Sequence, residues 1–571
     1  MGWPVGILAA LIASFAALGF PVTAAAHPER ESFFPPGYPD AGSFPEYRTD
    51  GPSLVVCKQD SNRRIRRIED PAVRRRNLRL LPDCRYRNIQ RAVNDASNNY
   101  RILVLPGVYN EVPSKGPPPA GCEAIYAKND ARQTLTYEEH RQCPNVNGLI
   151  SILGDTNGNR ICDSKCNIQI EGTGDTRDDV IINGNRIKGN IIRLDRADGA
   201  YITNLTAELS EDNNMYAIET NGFVWDRIVS RYSQNYAFLS FTSDHGIYSY
   251  CEASHSGDSG VYPGSGPDAR HGQPDANGDV YGIIIHHCDS HDNTIGYSGT
   301  AGNGVWAHHN KFHHNSAGIT TDSFASGHPG MPQDSSKWTN NLVYSNNVNI
   351  FTDDRDDFCR DTPWHERTDP TVVCPTFQVP VGTGMLIAGG NDNIVEDNYF
   401  FDNWRNGTML FWVPATFRGE QDNARNYDTS VNNRYAGNCM GIRPAVLDPD
   451  QVDFNACPGT SDVNGTDFWW DEEEGMDCDP EQSGCTETAA GNLKGNCWGG
   501  NTGASGTPTS DPIAALLPNC PGLDAFRPGQ SSKQAFLVPC ATWEPYDNPD
   551  TPGIRESDPP GCDWFTTPSE P

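Results

Sequence analysis

The chain has 571 residues, a net charge of −31 and eighteen cysteines. The acidic surplus argues against nucleic acid as a partner, because nucleic-acid-binding surfaces are basic, and it favours divalent cations as neutralising ligands. The cysteine count favours an oxidising compartment, and Cys162-x3-Cys166 has no second pair at zinc-finger distance. We therefore expect disulfides rather than zinc, with a pairing that spacing alone does not determine.

Residues 1–26 are predicted to be a secretion signal. The apolar run from Ile7 to Phe20 is too short to span a bilayer, and Ala24-Ala25-Ala26 supplies the small residues that a signal peptidase needs. No basic residue precedes Arg30, so an uncleaved anchor is the alternative. No later segment is apolar enough to cross a membrane, and we expect a secreted, extracellular mature protein.

Residues 27–83 are predicted to be a Pro- and Arg-rich lead-in. Residues 61–91 hold eleven Arg against three acidic residues, and this segment could grip a polyanion or form a basic cap on an acidic domain. Apolar residues then recur at helical spacing between 89 and 96, ahead of a buried strand at 102–105. We expect this short helix to cover the open end of a β-solenoid.

From residue 168 to about 410, short apolar strands alternate with Gly, Asn and Asp. Reference glycines recur with steps of 22–24 residues and one longer step that holds a polar insertion at 257–279: Gly199, Gly222, Gly246, Gly282 and Gly304. Three strands and three turns fit such a coil, whereas a WD40-type blade needs about twice the length. The pattern predicts a parallel β-helix, an all-β fold.

Asparagines repeat within this register. Asn310 and Asn315 lie six and eleven residues after Gly304, and later pairs keep the same spacing: Asn341 with Asn346, and Asn398 with Asn403. Asn tolerates left-handed turn conformations and can hydrogen-bond to its counterpart on the next coil. We predict stacked Asn turns with a structural role.

Two stretches carry a family resemblance. Ile89-Gln90-x-Ala92-Val93, followed by Ile102-x-Val104-x-Pro106-Gly107-x-Tyr109-x-Glu111, resembles the opening of pectin-lyase-like right-handed β-helix proteins. The later coils are similar to the generic bacterial β-helix repeat family. The resemblance implies a single-stranded right-handed parallel β-helix over 84–411, and it implies polysaccharide lyases, glycoside hydrolases and uronate epimerases as relatives. Fold alone does not fix function.

Residues 412–571 form the last predicted region. The coil register is lost there, and Pro, Gly and Cys dominate the composition. We predict a disulfide-stabilised cap over the second solenoid end, and a separate carbohydrate-binding module is the alternative.

One loop has the composition of a calcium site. Oxygen-bearing side chains alternate around Gly158 and resemble the extracellular calcium-binding motif called excalibur, Asp-x-Asp-x-Asp-Gly-x-x-Cys-Glu; the predicted Ca2+ ligands are Asp155, Asn157, Asn159 and Asp163. The two Asn replace charged ligands, and Cys166 stands where calcium loops carry a bidentate Glu. The alternative is a tight Asn/Gly turn pinned by a disulfide.

Most of the fourteen histidines fall between residues 245 and 328. The glycine register places them in three stacked rows: His255 with His291 and His313, His286 with His308, and His287 with His309. A row of imidazoles on a solenoid wall can supply an acid or base near neutral pH, bind a transition metal, or form only a hydrogen-bonded polar ladder.

Two loops, at 257–279 and 320–335, are predicted to frame a cleft beside these histidines. Abstraction of the C5 proton of a uronate needs a base and a neutralising cation, and hydrolysis needs two carboxylates. The predicted catalytic residues are the bases His291 and His308, the cations Arg270 and Lys337, the carboxylates Asp258 and Asp322, and His328 in the second loop. The predicted sugar-stacking residues are Tyr262, Tyr297, Trp306 and Trp338.

Motifs of individual enzyme families are absent. No Asp-Pro-His-Glu run of the uronate epimerases is present, the polygalacturonase series is in the wrong order, and no Arg-centred pectate lyase motif is recognisable. We predict a secreted protein that binds and modifies an extracellular polysaccharide by lyase or epimerase chemistry. The alternative is a non-catalytic extracellular protein that binds glycan or another envelope component.

Overall fold

The computed structural model describes the following residues: 30–36, 43–267, 273–325, 328–352, 358–359, 362, 366–413, 430–471, 495–511, 517–520, 533, 536–537, 539–540 and 561–571. The predicted secretion signal and Arg270 lie outside the described residues.

The chain winds into coils of up to three short strands, which we call rows a, b and c in chain order. Row a forms a sheet of eleven strands, and rows b and c together form a sheet of 22 strands. Neighbouring strands of both sheets pair in parallel, as Gly246 does with Ile283 and Ile283 with Val305. This arrangement confirms the predicted right-handed parallel β-helix.

Row a forms one continuous wall. Its strands are Gly148–Leu153, Asn190–Asp195, Asn213–Ile218, Phe238–Phe241, Ser259–Gly264, Ile295–Tyr297, Ala317–Asp322, Thr383–Ala388, Asn406–Phe411, Thr466–Trp470 and Ser510–Asp511.

Rows b and c form the second wall. Row b holds Cys84–Tyr86, Ser53–Val56, Arg101–Val104, Gln169–Gly172, Asp244–Ser249, Ile283–His286, Val305–His308, Lys337–Thr339, Ile394–Glu396, Arg434–Ala436 and Cys497–Gly499. Row c holds Gly107–Tyr109, Val180–Asn183, Glu252–Ser254, Asp289–His291, Lys311–His313, Leu342–Tyr344, Tyr399–Phe401, Cys439–Met440 and Thr502–Gly503. Two longer strands, Ala200–Glu208 and Asn221–Arg231, run through both rows.

Helices and short extra strands decorate the coils. The α-helices are α1 Ser61–Ile65, α2 Pro71–Leu80, α3 Ile89–Asp95, α4 Glu123–Asp130 and α5 Tyr137–Gln142. Among the described residues, 3-10 turns occupy Leu81–Asp83, Arg177–Asp179 and Pro449–Gln451. The extra strand pairs are Gln273–Pro274 with Val280–Tyr281, Gln333–Asp334 with Gly390–Asn391, and Ile442–Arg443 with Thr460–Ser461.

The solenoid is longer than predicted at both ends. Strand Ser53–Val56 pairs with Arg101–Val104, so row b begins inside the predicted lead-in. Beyond residue 411, strands from 434 to 511 continue all three rows, although long excursions hide the repeat in the sequence. Helix α3 buries its apolar side against the first coils, as predicted for a cap.

Asparagine ladders hold the turns together, as predicted: two long ones and a shorter one through Asn393, Asn433 and Asn496. Each side-chain amide donates to the Oδ1 of the next Asn at 2.9–3.2 Å, in the series Asn310, Asn341, Asn398, Asn438, Asn501 and the series Asn293, Asn315, Asn346, Asn403, Asn464. Except for Asn501, these amides are almost completely buried, so the ladders satisfy polar groups that would otherwise be left without a partner in the core.

The outward face of row a is covered for most of its length. Arg30 is 1% exposed and pairs there with Asp195 and Glu219 at 2.8 and 2.5 Å. Further along, apolar residues from 350–379 and from the C-terminal stretch around Trp564 pack over the same face. The outward faces of rows b and c are therefore the more accessible wall.

Eight disulfides join residues within the described ranges: Cys57–Cys84, Cys122–Cys143, Cys162–Cys166, Cys251–Cys288, Cys359–Cys374, Cys439–Cys457, Cys497–Cys520 and Cys540–Cys562. They confirm that Cys162 and Cys166 form a disulfide rather than half of a zinc site. Across the described part of the chain, no helix has the length and apolarity needed to cross a membrane.

Candidate functional site: an imidazole face on rows b and c

Seven histidines lie on the outward side of two neighbouring coils; we call them the imidazole face, and they are His286, His287, His291, His308, His309, His313 and His314. Strand pairing sets His286 beside His308, with ring centroids 5.3 Å apart, and His291 beside His313 at 5.4 Å. The two rings of each pair stack on each other, as predicted for both pairs. The side chains of His291 and His313 are 23% and 15% exposed, so the face is reachable from solvent.

His287 and His309 stand at the corner between rows b and c. Both have positive φ, 54° and 55°, a backbone conformation that His adopts more readily than most residues. The rings of His287 and His309 stack at 5.4 Å. This corner conformation thus directs the side chains of His287 and His309 outward on two successive coils.

Aromatic rings extend the imidazole face along the solenoid. Tyr250 stacks on His287 at 4.8 Å and is 45% exposed, whereas Trp306 lies 4.2 Å from His308. The Trp306 indole donates to Thr339 Oγ1 at 3.0 Å, which fixes the ring. Tyr250, His287 and His309 thus stack over three successive coils, and Trp306 lies beside that stack.

Adjacent histidines also face each other through Nδ1. The Nδ1–Nδ1 distance is 2.9 Å in His286–His287, 3.0 Å in His308–His309 and 2.6 Å in His313–His314. On the far side of two of these rings, Nε2 of His287 and of His313 lies 2.8 Å from a carboxylate, Asp450 and Asp289 respectively.

The protonation of the face is uneven. Burial, together with the neighbouring imidazoles, lowers the pKa of His286 to about 4 and that of His308 to about 3. Burial opposes protonation of His291 as well, but its hydrogen bond to Asp292 and the charge of Asp289 outweigh that effect and raise its pKa. His286 and His308 are therefore neutral at pH 7, with pKa values too low for an effective general base.

The two predicted carboxylates lie elsewhere, on the covered face of row a. Asp258 accepts a hydrogen bond from the Tyr236 hydroxyl at 2.9 Å, and Asp322 accepts one from Thr300 Oγ1 at 2.9 Å. They are 4% and 5% exposed. Burial raises the pKa of Asp258 to about 7 and that of Asp322 to about 6. The charge of Asp322 further raises the pKa of Asp258.

Tyr262 and His328 accompany these carboxylates rather than the imidazole face. Tyr262 is 3% exposed and packs on Tyr236 with ring centroids 4.5 Å apart. His328 lies 5.4 Å from Phe241 of row a.

The loops also start later than predicted. Strand Ser259–Gly264 belongs to row a, and Ala317–Asp322 extends three residues past the predicted exit at Ile319. The predicted composite site is thus divided between two walls.

Lys337, a predicted neutralising cation, is already paired. Its Nζ lies 2.5 Å from Asp275 Oδ2, and the two side chains are 6% and 3% exposed. Lys337 pairs in register with Trp306, so it belongs to the same outward row b surface. Its charge is not available to a substrate carboxylate while this pair holds.

Two predicted sugar-stacking residues are corrected by the structure. Tyr297 and Trp338 are both 0% exposed and lie inside the coil, 5.9 Å apart. Side chains alternate across a strand, so Lys337 points outward and Trp338 inward. Neither buried ring can stack on a sugar, and Trp306 alone of the predicted aromatics lies on the imidazole face.

The predicted calcium loop is internally bonded. Asp155 accepts the backbone N–H groups of Asn157, Gly158 and Arg160 at 2.7–3.1 Å, and it pairs with Arg196 at 2.8 Å. The Asn157 amide donates to Asp163 at 2.5 Å. The Asn159 Oδ1 likewise accepts a backbone N–H at 3.0 Å. These contacts match the disulfide-pinned turn, and calcium binding here stays a prediction.

The imidazole face includes residues that sequence reasoning missed. Asp450 and Phe454 reach His287 and His309 from far along the chain, beyond the predicted end of the solenoid. His255 was expected to stack on His291, but Ser254 pairs with His291 instead.

Within the described ranges, no three His, Cys, Asp or Glu side chains are grouped so as to hold one metal ion.

Comparison with solved structures finds other parallel β-helix proteins. A pectate lyase matches with 10% identity, over 58% of this chain and 71% of its own, at a TM-score of 0.30. The A-module of an Azotobacter vinelandii mannuronan C-5 epimerase matches with 9% identity, over 62% and 83%, at 0.34. A rhamnogalacturonan lyase matches with 10% identity, over 85% and 92%, at 0.33.

No family model and no curated protein matches the chain. The likeness to solved structures concerns the coil architecture alone, so the functional argument rests on the residues of the chain itself.

Proposed function

We propose that this protein is secreted and binds an extracellular polysaccharide along the imidazole face. The observation that carries the proposal is an outward group of rings: Tyr250, His287 and His309 stack over three successive coils, and His308 and Trp306 lie beside them. An extended polymer of sugars presents repeating flat faces and hydroxyls, and such a polymer fits a surface that repeats along one axis. The disulfides fit an extracellular location.

The chemistry of the face suits recognition better than catalysis. A neutral imidazole offers one hydrogen-bond donor and one acceptor, and aromatic rings add apolar faces with little conformational entropy to lose. His286 and His308 are neutral at pH 7, as their lowered pKa values require. The same lowered pKa values, and the pairing of Lys337 with Asp275, argue against proton abstraction by His308 beside Lys337.

Lyase or uronate epimerase activity is the second candidate function, and Asp258 favours it. A carboxyl with a pKa of about 7 can take up or release a proton near neutral pH, which is what a general acid or base needs. Asp322 is a second carboxyl on the same wall, with Tyr262 beside both. Because these groups are buried, we rank this activity below glycan binding as a proposed function.

The binding proposal is tested with immobilised polysaccharides, both neutral and uronate-rich. We expect Trp306→Ala and Tyr250→Ala each to weaken binding at least tenfold. Tyr47→Ala is the matched control, because Tyr47 is 42% exposed, close to the 45% of Tyr250, and lies away from the imidazole face on Tyr201. Unchanged affinity in both variants would exclude this surface.

The catalytic candidate is tested separately. Lyase activity creates an unsaturated sugar that absorbs in the ultraviolet, and epimerisation exchanges the C5 proton, which NMR detects in deuterated water. Activity that Asp258→Asn abolishes would support the row a carboxyls. Activity that survives in Asp258→Asn and in Asp322→Asn would remove them from the reaction.

A further inference from the structure

Three pairs of consecutive histidines lie on the imidazole face, and in each pair the two Nδ1 atoms face each other. The pairs are His286–His287, His308–His309 and His313–His314, with Nδ1 separations of 2.9, 3.0 and 2.6 Å. In every pair the second histidine has positive φ, between 54° and 55°. The corner conformation turns the second ring back toward the first.

In two of these pairs, a carboxylate favours the tautomer in which Nδ1 of one histidine is unprotonated. The Asp450 carboxylate lies 2.8 Å from Nε2 of His287, and Asp289 lies 2.8 Å from Nε2 of His313. A carboxylate accepts a hydrogen bond, so the proton of each neutral ring sits on Nε2. The Nδ1 lone pair of His287 and of His313 then points at the neighbouring imidazole.

A carboxylate that orients a histidine in this way is the usual outer partner of a metal-bound imidazole. Without metal, the neighbouring histidine must supply the Nδ1 proton that bridges the two nitrogens. If that ring moves its proton to Nε2, both Nδ1 lone pairs are free, and rotation of the two rings turns them from each other toward one point. The pair then becomes a two-nitrogen chelate.

The spacing of the nitrogens selects among metals. Two nitrogens 2.9–3.0 Å apart, each about 2.1 Å from a metal, subtend an angle of about 90° at that metal. The 2.6 Å separation in His313–His314 gives about 76°, so the rings of that pair must move apart by a few tenths of an ångström to reach the same angle. That angle is the cis angle of tetragonal Cu²⁺ or Ni²⁺, whereas a tetrahedral zinc site would need nitrogens about 3.4 Å apart. Among divalent first-row metals, Cu²⁺ also has the highest affinity for nitrogen ligands.

We propose that the consecutive histidine pairs of the imidazole face are copper(II) chelating sites, each supplying two cis nitrogens from Nδ1. Water completes the coordination, because each pair contributes two ligands and no third His, Cys, Asp or Glu is grouped with it among the described residues. The three sites lie on adjacent coils and corners of one surface. This inference does not depend on glycan binding.

The test is titration of the metal-free full-length protein with Cu²⁺ in the absence of polysaccharide, followed by electron paramagnetic resonance. We expect up to three bound ions and hyperfine structure from two nitrogens per ion. A copper spectrum without nitrogen coupling would overturn the proposal. Zinc should bind at least tenfold more weakly, and equal affinity for zinc would contradict the tetragonal assignment.

Matched variants assign the ions to the pairs. His287→Asn, His309→Asn and His314→Asn replace each corner histidine by a residue that tolerates positive φ, and each should remove one copper ion. His255→Asn is the control, because His255 has φ 57° but no histidine next to it in the chain. Removal of a copper ion by the control, or unchanged copper binding by the triple variant, would contradict the assignment.

An outer-partner variant gives an independent readout. Asp450→Asn leaves both nitrogens of the His286–His287 pair in place but removes the carboxylate that fixes the tautomer. We expect about tenfold weaker copper binding at one site and no change at the other two. Circular dichroism of every variant checks that the coil is intact, and full copper affinity in Asp450→Asn would show that the carboxylate does not prepare the site.

Discussion

The backbone N–H of Cys288 donates to Oδ1 of Asn310 at 2.9 Å, and Cys288 is disulfide-bonded to Cys251 on the preceding coil. The disulfide therefore stands at the head of the ladder that continues through Asn341 and Asn398. Successive coils are therefore joined by a disulfide at the N-terminal end of this ladder and by amide hydrogen bonds along the rest of it.

The Cys251–Cys288 disulfide should contribute strongly to stability. It closes a loop of 37 residues, for which the chain-entropy model gives about 3–4 kcal/mol. Cys251→Ser combined with Cys288→Ser should lower the free energy of unfolding by that amount in denaturant titration. Removal of Cys162–Cys166, which spans only 4 residues, should cost about 2 kcal/mol or less. Equal losses would contradict the loop-length argument.

Asn341 should be far more important to folding than an exposed asparagine. Its side chain accepts from the backbone and side-chain amides of Asn310 and donates to Ala307 and Asn398, all at 2.9–3.0 Å. Asn341→Ala leaves buried partners unsatisfied and should cost about 2–4 kcal/mol. Asn62→Ala, at an exposed position of helix α1, should change stability by less than about 0.5 kcal/mol in the same thermal melt.

Arg196 holds two buried acids and should not be replaceable by an apolar residue. It donates to Glu219 at 2.7 Å and to Asp155 at 2.8 Å, with its side chain 6% exposed. Arg196→Met leaves Asp155 without its cation and Glu219 with Arg30 alone, and should cost about 3–5 kcal/mol. Arg63→Met is the control, because Arg63 is 67% exposed in its pair with Asp60 and should contribute less than about 1 kcal/mol. Similar melting temperatures for the two variants would argue against the buried network.

Asp258 and Asp322 should make stability fall as pH rises. Burial raises their folded-state pKa values to about 7 and about 6, above the ordinary value near 4, so the folded state binds these protons more tightly than the unfolded state. Their contribution is present below about pH 4 and is lost between about pH 4 and pH 7.

The double variant Asp258→Asn/Asp322→Asn should flatten the melting temperature across this window. Asp50→Asn, at an exposed position, should leave the slope unchanged. A double variant that keeps the slope of the parent would assign it to other groups.

The features that could be predicted correctly from the sequence are those that depend on a short repeat along the chain. The coil, the Asn ladders, cap helix α3 and the stacking of His286 on His308 all follow from spacing within one or two coils. The error at His255 has a local cause. Gly199, Gly222 and Gly304 occupy a corner with positive φ, but in the coil of Gly246 that corner is filled by His245, one residue earlier. From residue types alone, Gly246 is the expected corner residue, and the sequence does not show that His245 takes its place.

Long-range features escaped prediction because excursions hide the register. The loop after Asp322 conceals which of Lys337 and Trp338 faces outward, and only pairing with Trp306 and Ala307 settles it. The approach of Asp450 to His287 joins residues 163 positions apart. No spacing rule connects such positions, so the division of the predicted site between two walls became visible only in three dimensions.

Because of the Asn ladders, the solenoid can change in length only by whole coils. Each buried ladder amide pairs with the Asn directly above or below and with a backbone carbonyl, and these partners recur once per coil, so a change in length that keeps the ladder adds or removes whole coils. Excision of residues 283–304, for example, would join Gly282 to Val305, the residue that pairs with Ile283, and bring each following side chain into an equivalent position. A family of such proteins would be expected to vary in coil number and in surface loops while the coil itself keeps its length.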